Sequence, residues 1–401
     1  MFENTIGNQN VAFGYNVMYS NVSGRYNVAV GSHAMYESTS GQENVAQGYN
    51  ALRSNTNGNY NVATGSHAMY ANTGGNQNVA QGYKALRTNT TGSFNVASGA
   101  LSMHLNTTGQ QNVAQGYYSL YTNSSGSYNV ALGPYAMYLN TTGTFNIAIG
   151  NQTLRSNTIG TNNIASGNQA LSANTTGSNN VAYGYFSMRY VSTGGNNVGI
   201  GAHTLTTLTI GSNNTAVGYG ANVSANDLTN STAIGYNAKA TASNQVRIGN
   251  ASVNSIGGQV GWTTFSDGRA KTNIQQNVPG LEFINKLQPV TYNISLDAIE
   301  EIRNAQETEE LPMELKMDQA NVKRQVESKL LTGFVAQDVE KAAKELGYDF
   351  SGVDAAQNEN DFYGIRYSEF VVPLVKAVQE LSAENTVLEE RVNDLKIRLP
   401  N

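Results

Sequence analysis

With 401 residues, no cysteine, 41 glycines and 28 Asp/Glu against 23 Lys/Arg, the chain carries a formal net charge of −5. Residues 1–265 hold 8 Lys/Arg and 4 Asp/Glu while the remaining 136 hold 15 and 24, so one part is +4 and the other −9. This excludes disulfide or thiolate-metal stabilisation, gives no basic stripe for nucleic acid, offers no apolar run long enough to span a membrane, and points to two different physical objects in one chain.

The first object is a repeat. Fourteen glycines, Gly14, Gly31, Gly48 and onward to Gly235, recur at every seventeenth position, and an Asn stands four before each of the first thirteen, from Asn10 to Asn214, with Ser231 in the last. A second Gly lies seven before, from Gly7 to Gly211, broken only by Leu228. Val or Ile fills the position three before, and Met or Leu the position four after, in twelve copies each. Such a period marks a solenoid. Asn4-Thr5-Ile6-Gly7 already matches the turn at Asn157 to Gly160, so the chain starts mid-repeat, as a fragment or as a piece whose start another tail or surface protein holds.

Each unit reads N-V-A-x-G-Y-x-A-L-x-x-N-T-T-G-x-x, as in Asn78 to Phe94. The N-V-A-x-G stretch is a short strand between Gly-rich turns, and the N-T-T-G turn suits a position of positive φ. Two glycines per unit would each cost a helix interior about 1 kcal/mol, so the expected coil is a β-solenoid rung over residues 1–240. With only about four apolar side chains fixed per unit, stacking must supply the core. Fourteen rungs would build a rod roughly 65 Å long, and the Asn column would form a hydrogen-bonded ladder between turns. A weaker period of twice that length places Tyr15, Tyr49, Tyr83 and Tyr117 after alternate glycines, either as caps on a thin core or as a recognition stripe. His33, His67, His104 and His203 lack ligand-like spacing and read as rung-surface residues, and no G-K-[ST] follows any repeat glycine, so neither metal nor cofactor is expected.

The rungs, Asn146 to Gly150 among them, resemble those of trimeric autotransporter adhesin heads, which implies left-handed parallel β-rolls with three chains side by side. Residues 241–265 read as closing strands and a joint. Beyond them Ser266-Asp267-Gly268-Arg269-Ala270-Lys271-Thr272-Asn273-Ile274 opens a series continued by Leu287 to Tyr292, Gly333 to Glu340 and Tyr367 to Phe370. In this order the four motifs resemble the intramolecular chaperone peptidases that end endosialidase-type phage tailspikes and tail fibres. The resemblance implies that residues 266–401 form a smaller α+β domain that trimerises, assists folding of the rod and cuts itself free between Phe265 and Ser266. It makes Ser266 the nucleophile and Lys271 the base, with Asp267, Arg269 and Asn273 supporting the motif. The chemistry is self-consistent, since a serine needs a base and a nearby cation such as Arg269 can lower a lysine pKa, while Gly268 could permit the strained turn that attack requires.

Residues 297–330 are densely charged and read as a solvated insertion. The last segment, 370–399, carries a coiled-coil seam of Leu374, Val378, Leu381, Asn385, Leu388, Val392, Leu395 and Leu399. Its β-branched a and Leu d positions alone favour two strands, whereas the family implies three. The leading expectation is a homotrimeric, receptor-binding tail fibre of a phage or related injection machine, on the virion tail; the alternative is a trimeric bacterial adhesin at the cell surface. Either would meet a host-surface glycan or protein, with no nucleic acid and no membrane insertion. Hydrolysis of an external glycan finds no support, because the array's four carboxylates, Glu3, Glu37, Glu43 and Asp227, are widely separated.

Overall fold

The computed structural model describes residues 3–302 and 323–398. It divides into two compact units, residues 1–250 and 251–401.

In the first unit every repeat is one rung. Fifteen strands of three residues, from Val11–Phe13 to Val246–Ile248, form one parallel sheet in sequence order, apart from a two-stranded side sheet. Register is in phase, Ala29 against Ala46 and Ala97 against Ala114, so identical columns stack. The closing rung is shorter than the others, since Thr215 pairs with Thr232 but Thr232 already meets Val246. Where the Met/Leu column gives out, at Asn222 and Lys239, the turn becomes the short strands Asn222–Val223 and Lys239–Ala240, paired parallel.

A three-residue strand sends one side chain inward and two outward. The inward one is Ala, fully buried from Ala29 to Ala148, while Val28, Val45, Val62, Val79 and Val96 of the same strands are exposed. Ala joins the Met/Leu column and the small residue before it, as in Ala136-Met137, in a core one or two side chains thick. Each strand ends at its column glycine, whose φ of about +133 bends the chain in a way only glycine tolerates freely.

Two buried Asn ladders line this core. Asn95 Nδ2 donates to Asn78 Oδ1 at 3.1 Å and to the Gly109 carbonyl at 2.9 Å, and the Asn95 amide donates to the same Asn78 Oδ1 at 2.9 Å. The second ladder uses the Asn of the N-T-T-G turn: Asn106 Nδ2 donates to Asn89 Oδ1 at 2.7 Å and to Gly109 O at 3.0 Å. One carbonyl therefore ties both ladders together.

The N-T-T-G turn does not use positive φ at its Asn or Gly. That conformation falls instead two residues after the turn glycine, as at Phe94 (φ 60), and within the next turn, as at Leu101 (φ 59) and Met103 (φ 48). Such residues cost about 1–2 kcal/mol each. They persist because each amide finds a carbonyl in an adjacent rung: Phe94 and Leu101 donate to Asn76 and Tyr83 of the previous one, Met103 to Ser119 of the next. His104, read as a surface residue, is buried and stacks on Tyr121 with ring centroids 5.2 Å apart; its column runs beside the core.

The second unit packs Phe283, Val339, Ala342, Ala343, Phe350 and Phe370 into a small core. The strands Val290–Tyr292 and Leu331–Gly333 pair antiparallel, and the helix Ala336–Glu345 turns its alanines and Val339 inward. The helix Val371–Arg398 begins with Pro373 in its first turn, where proline's missing N–H is harmless. Glu380 on this helix accepts the Leu281 amide at 2.7 Å and caps the helix Leu281–Ile284. Residues 303–322, within the charged stretch 297–330, and Leu399 of the seam lie outside the described residues; the helix Leu296–Ile302 precedes the former. Among the described residues no helix is long and apolar enough to cross a membrane.

Candidate active site

The segment after the unit boundary has no regular structure until the single turn Gly268–Ala270. Asp267 nucleates that turn: its Oδ1 accepts the Arg269 amide at 2.9 Å, and its carbonyl accepts Ala270 N–H at 3.1 Å. The Lys271 amide closes the turn on Gly268 O at 3.2 Å. Folding the chain back in this way brings the side chains at the two ends of the turn together, and Lys271 Nζ donates to Ser266 Oγ at 2.7 Å. Asn273 follows in the left-handed region, φ 54, which a short polar side chain accepts better than most.

Arg269 serves Asp267 rather than Lys271. Its Nη2 and Nε meet the carboxylate at 2.6 and 3.1 Å, a fork that holds the Asp267 carboxyl below its usual pKa and the guanidinium above its own. Arg269's charge is thus compensated within the turn, which corrects the expectation that it acts on the lysine. Gly268 is not a strain point either: its φ is not positive, and a Cβ there would meet nothing within 4 Å.

Ser266, Lys271 and Phe265 are all solvent-exposed. An amine in its neutral form, hydrogen-bonded to a hydroxyl as closely as Lys271 is to Ser266, can take its proton, and the Phe265 carbonyl that the hydroxyl would attack belongs to the peptide bond directly preceding it. The seam residues Leu374, Val378, Leu381, Asn385, Leu388, Val392 and Leu395 all lie on the helix Val371–Arg398 and are exposed.

The sequence reading missed an open aromatic groove lined by Tyr292, Phe334, Gln337, Tyr363 and Tyr367. Its organiser is Tyr367, whose hydroxyl accepts the Phe334 amide at 3.2 Å. A Cβ on Gly333 would collide with that hydroxyl. The signal was present as the pairing of G-F-V-A-Q with Y-S-E-F, two motifs that meet only in three dimensions.

Residues 266–348 match the family described as chaperone of endosialidase, and the match begins at the serine of the hydrogen-bonded pair. No curated protein matches the chain. The Tyr367 to Phe370 motif lies beyond the matched residues but shares their core through Phe370. Residues 266–348 are therefore similar to the chaperone-of-endosialidase family, and they follow a parallel β-solenoid in the same chain.

Proposed function

We propose that the protein is a homotrimeric fibre of a phage tail or related injection machine, displayed for contact with a host surface, whose C-terminal chaperone aligns three chains and then releases itself by cutting Phe265–Ser266. The observation that carries this reading is the 2.7 Å contact from Lys271 Nζ to Ser266 Oγ, at the first residues of the chaperone match and just past the last rung.

In this mechanism neutral Lys271 takes the Ser266 hydroxyl proton as Oγ adds to the Phe265 carbonyl carbon. The oxyanion collapses, the C–N bond breaks, and the lysine's proton passes to the departing Ser266 nitrogen. Water then hydrolyses the resulting ester, leaving a Phe265 carboxylate and a free Ser266 hydroxyl and amine.

Lysine acts as a base only where desolvation or an uncompensated cation lowers its pKa. In the single chain the pair is exposed and Arg269 is held by Asp267. In this reading neighbouring chains supply the desolvation, which ties cleavage to assembly. Two exposed apolar surfaces support association: the outward Val/Ile stripe of the long sheet and the leucine seam of the last helix. A helix with Leu374, Leu381, Leu388 and Leu395 in water loses roughly 1.5–3 kcal/mol per side chain relative to a buried seam.

Intact-mass spectrometry of protein folded under native conditions tests the cleavage. Fragments 1–265 and 266–401 are expected, and Ser266→Ala and Lys271→Ala should each abolish them, with no further loss in the double variant because the pair acts as a unit. A wild-type trimer that stays whole would reduce the domain to a trimerising cap; a stable monomer by light scattering would overturn the fibre reading itself. A trimeric bacterial adhesin remains the second reading, supported by the similarity of the N-V-A-x-G rungs to adhesin heads.

A further inference from the structure

The solenoid's few cations are not scattered in space. Of the eight in residues 1–265, four occupy one column, the fifth position after the rung glycine: Arg53, Arg87, Arg155 and Arg189. Successive members stand two, four and two rungs apart, so all fall in phase with a two-rung period. Three of those four rungs also carry an exposed Tyr directly after the glycine, namely Tyr49, Tyr83 and Tyr185.

Aromatic rings hold these guanidinium groups by their faces. Arg87 Cζ lies 5.5 Å from the Tyr70 ring centre, Arg155 5.9 Å from Tyr138, and Arg189 4.2 Å from Phe186. A guanidinium's five N–H donors point outward in its plane, so ring stacking leaves that edge open. Arg53 uses its edge on Glu37, at 2.8 Å. Arg87, Arg155 and Arg189 have no carboxylate partner among the described residues, and Arg87 Nε is buried without a hydrogen-bond acceptor. Lys84 adds a second cation in the Arg87 rung, its Nζ 4.8 Å from the Tyr83 ring centre. The local field registers on His67, whose pKa is held down first by burial and then by Arg87 and Lys84.

A column that offers stacking surfaces and unpaired cations at multiples of two rungs fits an extended ligand whose own repeat is two rungs long. Two rungs are roughly 9.6 Å, close to the length of two hexose rings in an extended chain. Duplex DNA, with one charge per about 1.7 Å, is far too dense to be matched by this column. We propose that the Arg/Tyr column is a lengthwise binding site for an extended acidic polysaccharide with one carboxylate per disaccharide. Sugar rings lie on the exposed tyrosines, and the carboxylates pair with the open guanidinium edges. This deepens the host-contact reading given above and rests on it.

The test uses the full-length, assembled protein with hyaluronan decasaccharide as probe, its carboxyl-reduced counterpart, and an oligodeoxythymidylate as a denser polyanion, read by titration calorimetry. Hyaluronan should bind, reduction of its carboxyls should weaken binding by about tenfold or more, and Arg87→Gln with Arg155→Gln should do the same. Tyr83→Ala with Tyr185→Ala should weaken the acidic and the reduced polymer alike. Circular dichroism confirms that each variant keeps its rungs, and Arg155→Gln, at an exposed position, serves alone if the double variant does not fold. No binding of hyaluronan, equal binding of the reduced polymer, or tighter binding of the oligonucleotide would each overturn the proposal. Those results would leave trimer formation and cleavage, measured separately, untouched, whereas a monomeric chain would remove the fibre reading instead.

Discussion

Removing one amide from the N-V-A-x-G ladder should cost far more than a surface Asn, and Asn112 is the position to test. Its Nδ2 donates to Asn95 Oδ1 at 3.1 Å and to Gly126 O at 2.9 Å, and its Oδ1 accepts the Asn129 amide at 3.0 Å and Asn129 Nδ2 at 3.2 Å. In Asn112→Ala three of these partners keep another bond: Asn95 Oδ1 still accepts the backbone amide of residue 112, Gly126 O accepts from Asn123, and Asn129 Nδ2 donates to Gly143 O. Only the Asn129 N–H is orphaned. An orphaned buried donor costs about 1–3 kcal/mol and each of the three replaceable bonds about 0.5, so the total is about 2.5–4.5 kcal/mol. Solenoids open locally, so hydrogen exchange on the full chain is the direct assay, and the Asn129 amide should lose at least about hundredfold protection. Asn168→Ala, at an exposed rung position, should change stability by no more than about 0.5 kcal/mol. If Asn112→Ala matched that control and the Asn129 amide stayed protected, the ladder would be a packing coincidence.

Adjacent glycines give an internal comparison. A Cβ on Gly75 would collide with the Gly92 carbonyl and stand 2.5 Å from Asn72 Oδ1, whereas one on Gly74 meets only Asn57 Oδ1 at 3.1 Å; Gly75→Ala should cost several kcal/mol and Gly74→Ala very little, as thermal melts would register. The His104 pKa is lowered from 6.5, chiefly by burial. Its folded form therefore favours neutrality, and the sign is that stability is full above 6.5 and falls as pH drops below it towards the folded pKa. Denaturation midpoints above and below pH 6.5 should differ less in His104→Gln than in the parent, His67 adding an effect of the same sign; an unchanged difference would place the proton elsewhere. Leu381→Asp with Leu388→Asp should disrupt assembly by light scattering and suppress cleavage with it, and cleavage by a monomeric variant would break the proposed link between them.

The period, the parallel sheet and the Asn ladder of the N-V-A-x-G column were legible because each column is chemically constant and in-phase stacking turns a column into a line of like contacts. Which side chains face inward was not. A V-A-x strand is compatible with either parity, and β-propensity favours burying Val; the coil is too thin for that, so Ala goes in and Val remains outside. Nor could composition locate the left-handed residues. Leu101 and Met103 look like ordinary apolar positions, and their φ is set by which neighbouring rung must receive each amide. His104 was misplaced for the same reason, since its burial depends on Tyr121 one rung away.

At the chaperone end, the motif placed Ser266 and Lys271 close in the chain, and a single Asp-capped turn brings their side chains into contact. What the motif could not give was the fate of the charges around that pair. Arg269 reads as a neighbour of Lys271 by position, yet its planar fork matches the carboxylate of Asp267, and a bidentate pair outcompetes a loose like-charge approach. In the proposed mechanism, with that cation compensated and both Ser266 and Lys271 exposed, proximity alone is not enough for Lys271 to act as the base. In the proposed mechanism desolvation is the missing contribution, and a surface that acquires it only when chains pack would keep the rod joined to its C-terminal domain until alignment is complete. Under the proposed mechanism the exposure of Ser266 and Lys271 in one chain is therefore what prevents premature cleavage.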